Sequence, residues 1–236
     1  MKTCVVLALF LMAGVSLGDI QKRVNNGRPC TADETKSFVF INDCSGTVID
    51  GNWVITAGHC KGRKKLSKKY DIKDVNLNLK VTSEKTFPHK TADVMLIKGN
   101  TGMTGMPLVS EADCDQVMKQ ISPTKPVKMV IPAKDTQAKK TTGKLASMCA
   151  DIKVDRSGPH PITKENCVYW TPLACNSCEG DSGAGYIYNN ALFAVHSGEN
   201  EYTDNKGKVV KVENVGHIVC NGDIRNWIVN TMNNNP

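Results

Sequence analysis

The chain has 236 residues, of which 40% are hydrophobic and 22% charged, a balance that argues against disorder and fits one large domain or two small ones. The formal net charge of +7 is modest and spread along the sequence, so it does not indicate a nucleic-acid partner. The sequence contains no zinc-finger spacing, RNA-binding signature or phosphate-binding loop, and no apolar run long enough for a comfortable membrane span.

The N-terminal segment has the pattern of a secretory signal peptide. Lys2 precedes an apolar run over residues 5–15, and the small residues Ser16 and Gly18 follow it, so we predict a signal peptide over residues 1–18. Secretion makes the later cysteines a disulfide framework in preference to a metal site, and we expect neither a metal nor an organic cofactor. We therefore expect the mature protein outside the cell.

Most of the chain reads as short β segments separated by turns. A hairpin is predicted where residues 46–49 and 53–56 flank a turn at Asp50–Gly51. Only residues 223–232 have helical spacing, with Ile224, Trp227 and Ile228 on one face. The basic run over residues 61–69 is either a solvated surface loop or an anion-binding site. Further strands are predicted at residues 37–41, 75–81, 93–97, 127–131, 186–188, 192–195 and 209–212.

The turn Gly180-Asp181-Ser182-Gly183 is the first candidate for a reactive site. A serine between glycines can sit on a tight turn with its hydroxyl exposed and its backbone N–H turned towards a reacting carbonyl. Alone, this four-residue match is weak, and an ordinary polar turn is the more common explanation for it.

A nucleophilic serine needs a base and an orienting acid. Of the five histidines, His59 stands out because it follows an apolar strand and precedes Cys60, a context that would hold its ring in one orientation. Asp93 precedes the apolar run Val94–Ile97, where a buried carboxylate requires hydrogen-bond partners such as an imidazole N–H. Alone, each residue would more often be structural.

Together, three motifs carry a specific resemblance. Thr56-Ala57-Gly58-His59-Cys60, Ala92-Asp93-Val94-Met95-Leu96 and Gly180-Asp181-Ser182-Gly183, in this order, closely resemble the chymotrypsin/trypsin family of serine peptidases over about residues 24–234. The resemblance implies two six-stranded antiparallel β-barrels with a C-terminal helix and an active site between the barrels. It also implies that Ser182 is the nucleophile, His59 the base and Asp93 the orienting acid, with the N–H groups of Gly180 and Ser182 as the oxyanion hole.

The resemblance extends to activation. From the local sequence, Lys22-Arg23 before Val24 is equally well a processing site or the charged start of a loop. In the family, cleavage at the matching bond frees an α-amino group that pairs with the aspartate before the serine, here Asp181. The resemblance therefore divides the chain into a signal peptide at 1–18, an activation propeptide at 19–23 and a peptidase domain at 24–236.

The family's cysteine pattern implies three disulfides. They pair Cys44 with Cys60, Cys30 with Cys149, and Cys114 with Cys220. The pairing of Cys167, Cys175 and Cys178 stays open.

The resemblance also places the substrate pocket. Its lining would include Asn176, Ser177, Glu179, Gly198 and Asn214. Asn176 stands where trypsin carries an aspartate, so the simple charge rule for Lys/Arg substrates is absent, and Glu213 is an alternative source of an acid. His196 falls where the family usually has a serine near the catalytic aspartate.

The leading prediction is a secreted serine endopeptidase made as a zymogen and cleaved at Arg23–Val24. Its expected partners are protein or peptide substrates, an activating protease and protein inhibitors, and we expect a monomer without nucleic-acid or membrane binding. The alternative is a weakly active or non-catalytic homologue that acts as a binding protein.

Overall fold

The computed structural model describes residues 27–61, 71–74, 80–83, 85–122, 124–134, 146–156, 167–170 and 181–236. These residues form two antiparallel sheets and three helices, so the all-β expectation with a C-terminal helix is confirmed. Among the described residues, no helix is long and apolar enough to cross a membrane.

The first sheet has the strand order β6-β5-β2-β3-β4-β8-β7. The predicted hairpin is its centre, because β3 and β4 pair across a turn at residues 51–52. Both faces of these central strands are covered by the chain, and the apolar residues of β2 and β4 are fully buried. The strands are β2 (Phe38–Ile41), β3 (Cys44–Asp50), β4 (Trp53–Thr56), β5 (Asp71–Asp74), β6 (Lys80–Thr82), β7 (Lys85–Pro88) and β8 (Met95–Lys98).

The second sheet has the order β1-β10-β9-β12-β13-β14-β11. In the part of the chain that the structure describes, each sheet has seven strands: a short edge strand, β6 in the first sheet and β1 in the second, adds to the six that the resemblance implies. The strands are β1 (Arg28–Pro29), β9 (Val127–Lys134), β10 (Ser147–Val154), β11 (Cys167–Trp170), β12 (Gly185–Tyr188), β13 (Ala191–Thr203) and β14 (Val209–Ile218).

The expectation of a single helix is wrong. The structure has α1 (Ala32–Thr35), α2 (Glu111–Gln120) and α3 (Gly222–Asn233). Ser110 caps α2 by accepting a hydrogen bond from the Asp113 N–H, but only Cys114 and Val117 of this helix are buried. A polar helix with so narrow an apolar face leaves little periodic signal in the sequence. α3 matches its prediction, with Ile224 and Ile228 buried.

Some predicted strand limits also change. The strand predicted at 93–97 begins at Met95, so Asp93 lies in the preceding loop. Of the strand predicted at 75–81, residues 80–81 lie in β6 and residues 75–79 lie outside the described residues. The pattern does not predict strands β1, β5, β7, β10 and β11.

The three disulfides implied by the resemblance are all present. Cys44–Cys60 closes a short loop in the first sheet, Cys30–Cys149 ties the N-terminal segment to β10, and Cys114–Cys220 joins α2 to the connection between β14 and α3. A cross-link that closes a loop of about 100 residues stabilises a fold by about 4–5 kcal/mol in the chain-entropy account. Cys175 and Cys178 lie outside the described residues.

Candidate active site

His59 lies in a single turn of 3-10 helix, Gly58–Cys60, directly after β4. The Cys44–Cys60 disulfide fixes this turn to β3. The backbone N–H of His59 donates to Asp93 Oδ1 at 2.7 Å, and Nδ1 of its ring lies 2.6 Å from Asp93 Oδ2. The ring is therefore oriented from one edge, while its side chain stays 48% exposed.

This approach of His59 to Asp93 requires a small residue at position 58. A Cβ atom on Gly58 would lie 2.9 Å from Asp93 Oδ1 and 3.3 Å from the Val94 nitrogen. The glycine in the motif therefore makes room for the carboxylate.

Asp93 is held in its ionised form by its donors. Burial alone raises the pKa of Asp93, but hydrogen bonds from His59 and Ser197 outweigh it and lower the pKa to about 2. The Ser197 hydroxyl donates to Asp93 Oδ2 at 2.6 Å. In return, the hydrogen bond to Asp93 raises the pKa of His59 against the opposing effect of burial. The pair thus favours an imidazolium once His59 has accepted a proton.

The expectation for His196 is wrong, because Ser197, the next residue, is the serine that contacts Asp93. The pairing of β13 with β14 shifts register between His196 and Gly198, and such a bulge changes which side chain faces the site. His196 is buried and its Nδ1 lies 2.9 Å from the Tyr186 hydroxyl. Burial, then the charge of His59, lowers the pKa of His196 to about 4, so this ring is neutral.

Ser182 is on a tight turn that packs against the first sheet. Gly183 has φ of +87°, and a Cβ there would lie 2.1 Å from Thr56 Oγ1 and 2.2 Å from the Ser45 carbonyl oxygen. The Ser45 N–H donates to the Ser182 carbonyl at 2.8 Å. The turn leads into β12 of the second sheet, yet it packs against β3 and β4 of the first sheet. This packing brings Ser182 to the elements that carry His59.

The described residues include only part of the predicted activation and oxyanion groups. Asp181 is 1% exposed, so its carboxylate points into the protein. Arg23, Val24 and Gly180 lie outside the described residues. The oxyanion hole and the pairing of Val24 with Asp181 stay predictions.

The pocket prediction is likewise divided, because Asn176, Ser177 and Glu179 lie outside the described residues. Gly198 and Val215 line a cavity of about 250 Å³, and Asn214, which precedes Val215 in the sequence, is fully buried. Within the described part of the chain, neither polar atom of the Asn214 amide has a hydrogen-bond partner.

Glu213, the alternative acid, already has two partners. Its carboxylate accepts a hydrogen bond from the Tyr202 hydroxyl at 2.8 Å and pairs with the Lys211 ammonium. Burial, followed by the Glu213 hydrogen bond, raises the pKa of Tyr202 to about 12, so Tyr202 remains a donor. The acid is therefore committed to partners on its own hairpin.

One group of potential metal ligands is found among the described residues, formed by Cys44, His59 and Cys60. Both cysteines are bridged to each other, so neither offers a thiolate. This grouping is unsuited to a metal, whereas a neutral His59 beside an ionised Asp93 is suited to proton transfer.

Comparisons with known proteins agree with this geometry. The sequence profile described as Trypsin matches residues 24–219. A protein of Ophiophagus hannah, alpha- and beta-fibrinogenase OhS1, is 26% identical over 199 residues, which cover 74% of this chain and 75% of that protein. Neuropsin, a serine protease expressed in the limbic system of mouse brain, matches with a TM-score of 0.62 at 20% identity, covering 88% of this chain and 99% of its own. A Glu endopeptidase in complex with MPD matches with a TM-score of 0.63 at 16% identity, covering 87% of this chain and 95% of its own.

The two solved structures share the chymotrypsin-like fold, so the order and packing of the two sheets follow that fold. The profile match spans most of the chain and includes the segments that carry His59, Asp93 and Ser182. The chain belongs to the trypsin family of serine peptidases.

Proposed function

We propose that this protein is a secreted serine endopeptidase that hydrolyses peptide bonds through an acyl-enzyme. The observation that carries the proposal is the chain of short hydrogen bonds from Ser197 through Asp93 to His59, next to the tight turn of Ser182. An ion pair that is merely structural does not need an exposed imidazole edge, whereas a general base does.

In the proposed reaction, the Ser182 hydroxyl attacks the scissile carbonyl while His59 takes its proton. Asp93 keeps the His59 Nδ1–H in place and stabilises the imidazolium, because its own pKa is held at about 2. The imidazolium then protonates the leaving amine, and a water molecule deprotonated by His59 hydrolyses the acyl-enzyme. The N–H groups of Gly180 and Ser182 are the proposed donors to the oxyanion, each typically worth about 3–4 kcal/mol.

A serine-directed fluorophosphonate tests this proposal. We expect it to label Ser182 in the processed protein, and we expect Ser182→Ala to fold, to resist labelling and to lose peptidase activity. Ser110→Ala is a matched control, because the Ser110 side chain caps α2 through hydrogen bonds with Asp113 and, among the described residues, has none with the proposed triad, so its loss should leave labelling intact. A folded, processed protein that resists labelling would contradict the enzyme proposal and favour the non-catalytic binding homologue.

We further propose that the protein is made as a zymogen and cleaved between Arg23 and Val24. Asp181 is 1% exposed, so an α-amino group that reached it would form a buried, charge-assisted ion pair. Such a pair links the new N-terminus directly to the turn that carries Ser182.

Arg23→Gln tests the activation step. We expect added trypsin to convert the wild-type precursor to an active form whose N-terminus, read by mass spectrometry, is Val24. The Arg23→Gln precursor should stay uncut at this bond and inactive. Full activity of Arg23→Gln without a new N-terminus would refute the activation proposal while leaving the catalytic one standing.

The proposed setting is extracellular, with protein or peptide substrates, an activating protease and protein inhibitors as partners. Three disulfides support an oxidising compartment. Because Asn176 replaces the pocket aspartate of trypsin and Glu213 is committed to Tyr202 and Lys211, we do not propose cleavage after Lys or Arg.

A further inference from the structure

Two histidines outside the proposed triad bind the backbone of the loop that carries Asp93. This loop, residues 89–94, joins β7 to β8 and is closed by a hydrogen bond from the His89 N–H to the Val94 carbonyl at 2.8 Å. His89 Nδ1 accepts from the N–H groups of Thr91 and Ala92 at 3.3 and 3.0 Å. His217 Nε2, from β14, accepts from the Asp93 N–H at 3.4 Å.

Three consecutive N–H groups up to Asp93 therefore have imidazole acceptors. A ring nitrogen accepts a hydrogen bond only while it carries a lone pair, so the His89 proton must be on Nε2 and the His217 proton on Nδ1. Protonation of either ring places an N–H against a backbone N–H and removes the bond. The loop conformation thus requires both rings to be uncharged.

The His89 ring is itself fixed by the C-terminal helix. Trp227 of α3 contacts it edge to face, with ring centroids 5.0 Å apart and an interplanar angle of 85°. This contact connects α3 through His89 to Asp93, although no residue of α3 belongs to the proposed triad.

The charged and titratable groups around the two rings are few. His89 is close to Asp223 of α3 and His217 of β14, with the exposed Lys90 next to it in the loop. Burial lowers the pKa of His89 and outweighs the opposing charge of Asp223. His217 faces Asp93, His89 and the Cys167 sulfur, 3.5 Å from its Nδ1, and burial lowers its pKa too.

We propose that His89 is a positioning residue for Asp93: its uncharged imidazole fixes the loop, and its protonation releases Asp93 from His59. The proposal rests on the proposed peptidase function. It means that the position of Asp93 depends on a second titratable group, His89, in addition to the base His59. His217 is the second support on the same loop, and it lines the cavity that Gly198 also borders.

The sign of the pH dependence follows from the lowered pKa values. The unfolded chain binds a proton to His89 at its ordinary pKa, and the folded chain does so only at lower pH. The support is therefore complete above the ordinary pKa of histidine, about 6.5, and is lost as the pH falls through the lower folded value. Protonation of His59 removes the base at a higher pH, so the acid limb of activity contains two proton-binding steps.

The test compares His89→Ala with His89→Asn, with Lys90→Ala as the matched control on the same loop. The Asn Oδ1 atom can accept from N–H groups two residues ahead, as Nδ1 does, but it does not titrate. We expect His89→Ala to lower kcat by about 10- to 100-fold with KM nearly unchanged, because a displaced catalytic group costs rate more than binding. His89→Asn should restore most of kcat and make the acid limb less steep, and Lys90→Ala should match wild type.

A second measurement does not depend on activity. In the Ser182→Ala background, the pKa of His59 measured by NMR should fall towards the ordinary value in His89→Ala and stay raised in His89→Asn. A missing fluorophosphonate label in wild type would defeat the proposed function, but this measurement would still decide the role of His89. The proposal is overturned if His89→Ala keeps the His59 pKa of wild type. If His89→Ala does not fold, an acid limb equally steep in His89→Asn and wild type overturns it.

Discussion

Removal of the Ser197 hydroxyl is the sharpest test of how Asp93 supports His59. Ser197 Oγ and His59 Nδ1 lie at the same carboxylate oxygen, Oδ2, each at 2.6 Å. In Ser197→Ala, this oxygen loses one of its two donors and becomes a stronger acceptor for His59. The pKa of Asp93 rises from about 2 but stays below neutral pH, so the carboxylate remains ionised.

The magnitude follows from the type of bond. A hydrogen bond to a charged group contributes about 1.5–3 kcal/mol, which would correspond to about 10- to 150-fold in rate if all of it acted in the transition state. The Asp93 side chain is 28% exposed, so water replaces part of the lost bond. The expected loss of rate comes from orientation, because Asp93 loses the contact that fixes its Oδ2 atom beside His59, and we expect kcat/KM on the plateau to fall by about 10-fold, at the lower end of that range.

The assay is the pH profile of ester hydrolysis by the processed protein. Because activity requires neutral His59, the rate rises with pH through the raised pKa of His59. Ser197→Ala should move this limb to higher pH, and Ser197→Thr, which keeps the hydroxyl in a strand that tolerates β-branching, should resemble wild type. An unchanged plateau and limb in Ser197→Ala, or a limb shifted to lower pH, would refute the reasoning.

Two further predictions concern stability. Gly183→Ala should destabilise the fold by about 2–5 kcal/mol in urea unfolding, because the strain of a left-handed φ and the overlap with Thr56 both contribute. Gly207 has a similar φ but open space around it, so Gly207→Ala should cost only the backbone strain. Equal losses of stability in the two variants would contradict the packing argument. Glu34 accepts two hydrogen bonds from Arg28, and these are the main reason that the pKa of Glu34 is lowered to about 2. Because Arg28 is partly exposed, Glu34→Gln should lower the free energy of unfolding by only about 1–2 kcal/mol near neutral pH. That difference should shrink as the pH falls from about 4.5 towards 2, and a pH-independent difference would argue against the ion pair.

The sequence predicts the parts of the site that depend on local chemistry. Three requirements of the site fall on adjacent residues: Gly58 makes room for the Asp93 carboxylate, His59 is the proposed base, and Cys60 forms the disulfide that fixes the turn. Gly183 must follow Ser182 because only glycine fits its backbone angle and its contact with Thr56. Requirements of this kind leave residue types at fixed spacing, and a short motif records them.

The parts that depend on register or on long-range packing could not be predicted in the same way. Ser197 and His196 are neighbours, and only the shift in strand pairing decides which of them faces Asp93. α2 is mostly solvated, so its sequence lacks the apolar stripe by which a helix is recognised.

The same limit explains why the sequence does not indicate a role for His89 or His217. Neither has a distinctive sequence context, and 128 positions separate them in the chain. Their role exists only because β14 and the loop before β8 meet behind Asp93.

Hydrogen bonds to several parts of the fold hold Asp93: its carboxylate accepts from His59 and Ser197, and its backbone N–H donates to His217 Nε2. His59 comes from the turn after β4, Ser197 from β13 and His217 from β14, so both sheets converge on one carboxyl residue. Misplacing any of these elements weakens the base without removing it. Since α3 reaches the same residue through Trp227 and His89, a change in the C-terminal helix that leaves the fold intact should still alter the pKa of His59. The orientation of the proposed base therefore depends on how the two sheets and α3 pack together, whereas the three sequence motifs contain only the residues in direct contact at the site.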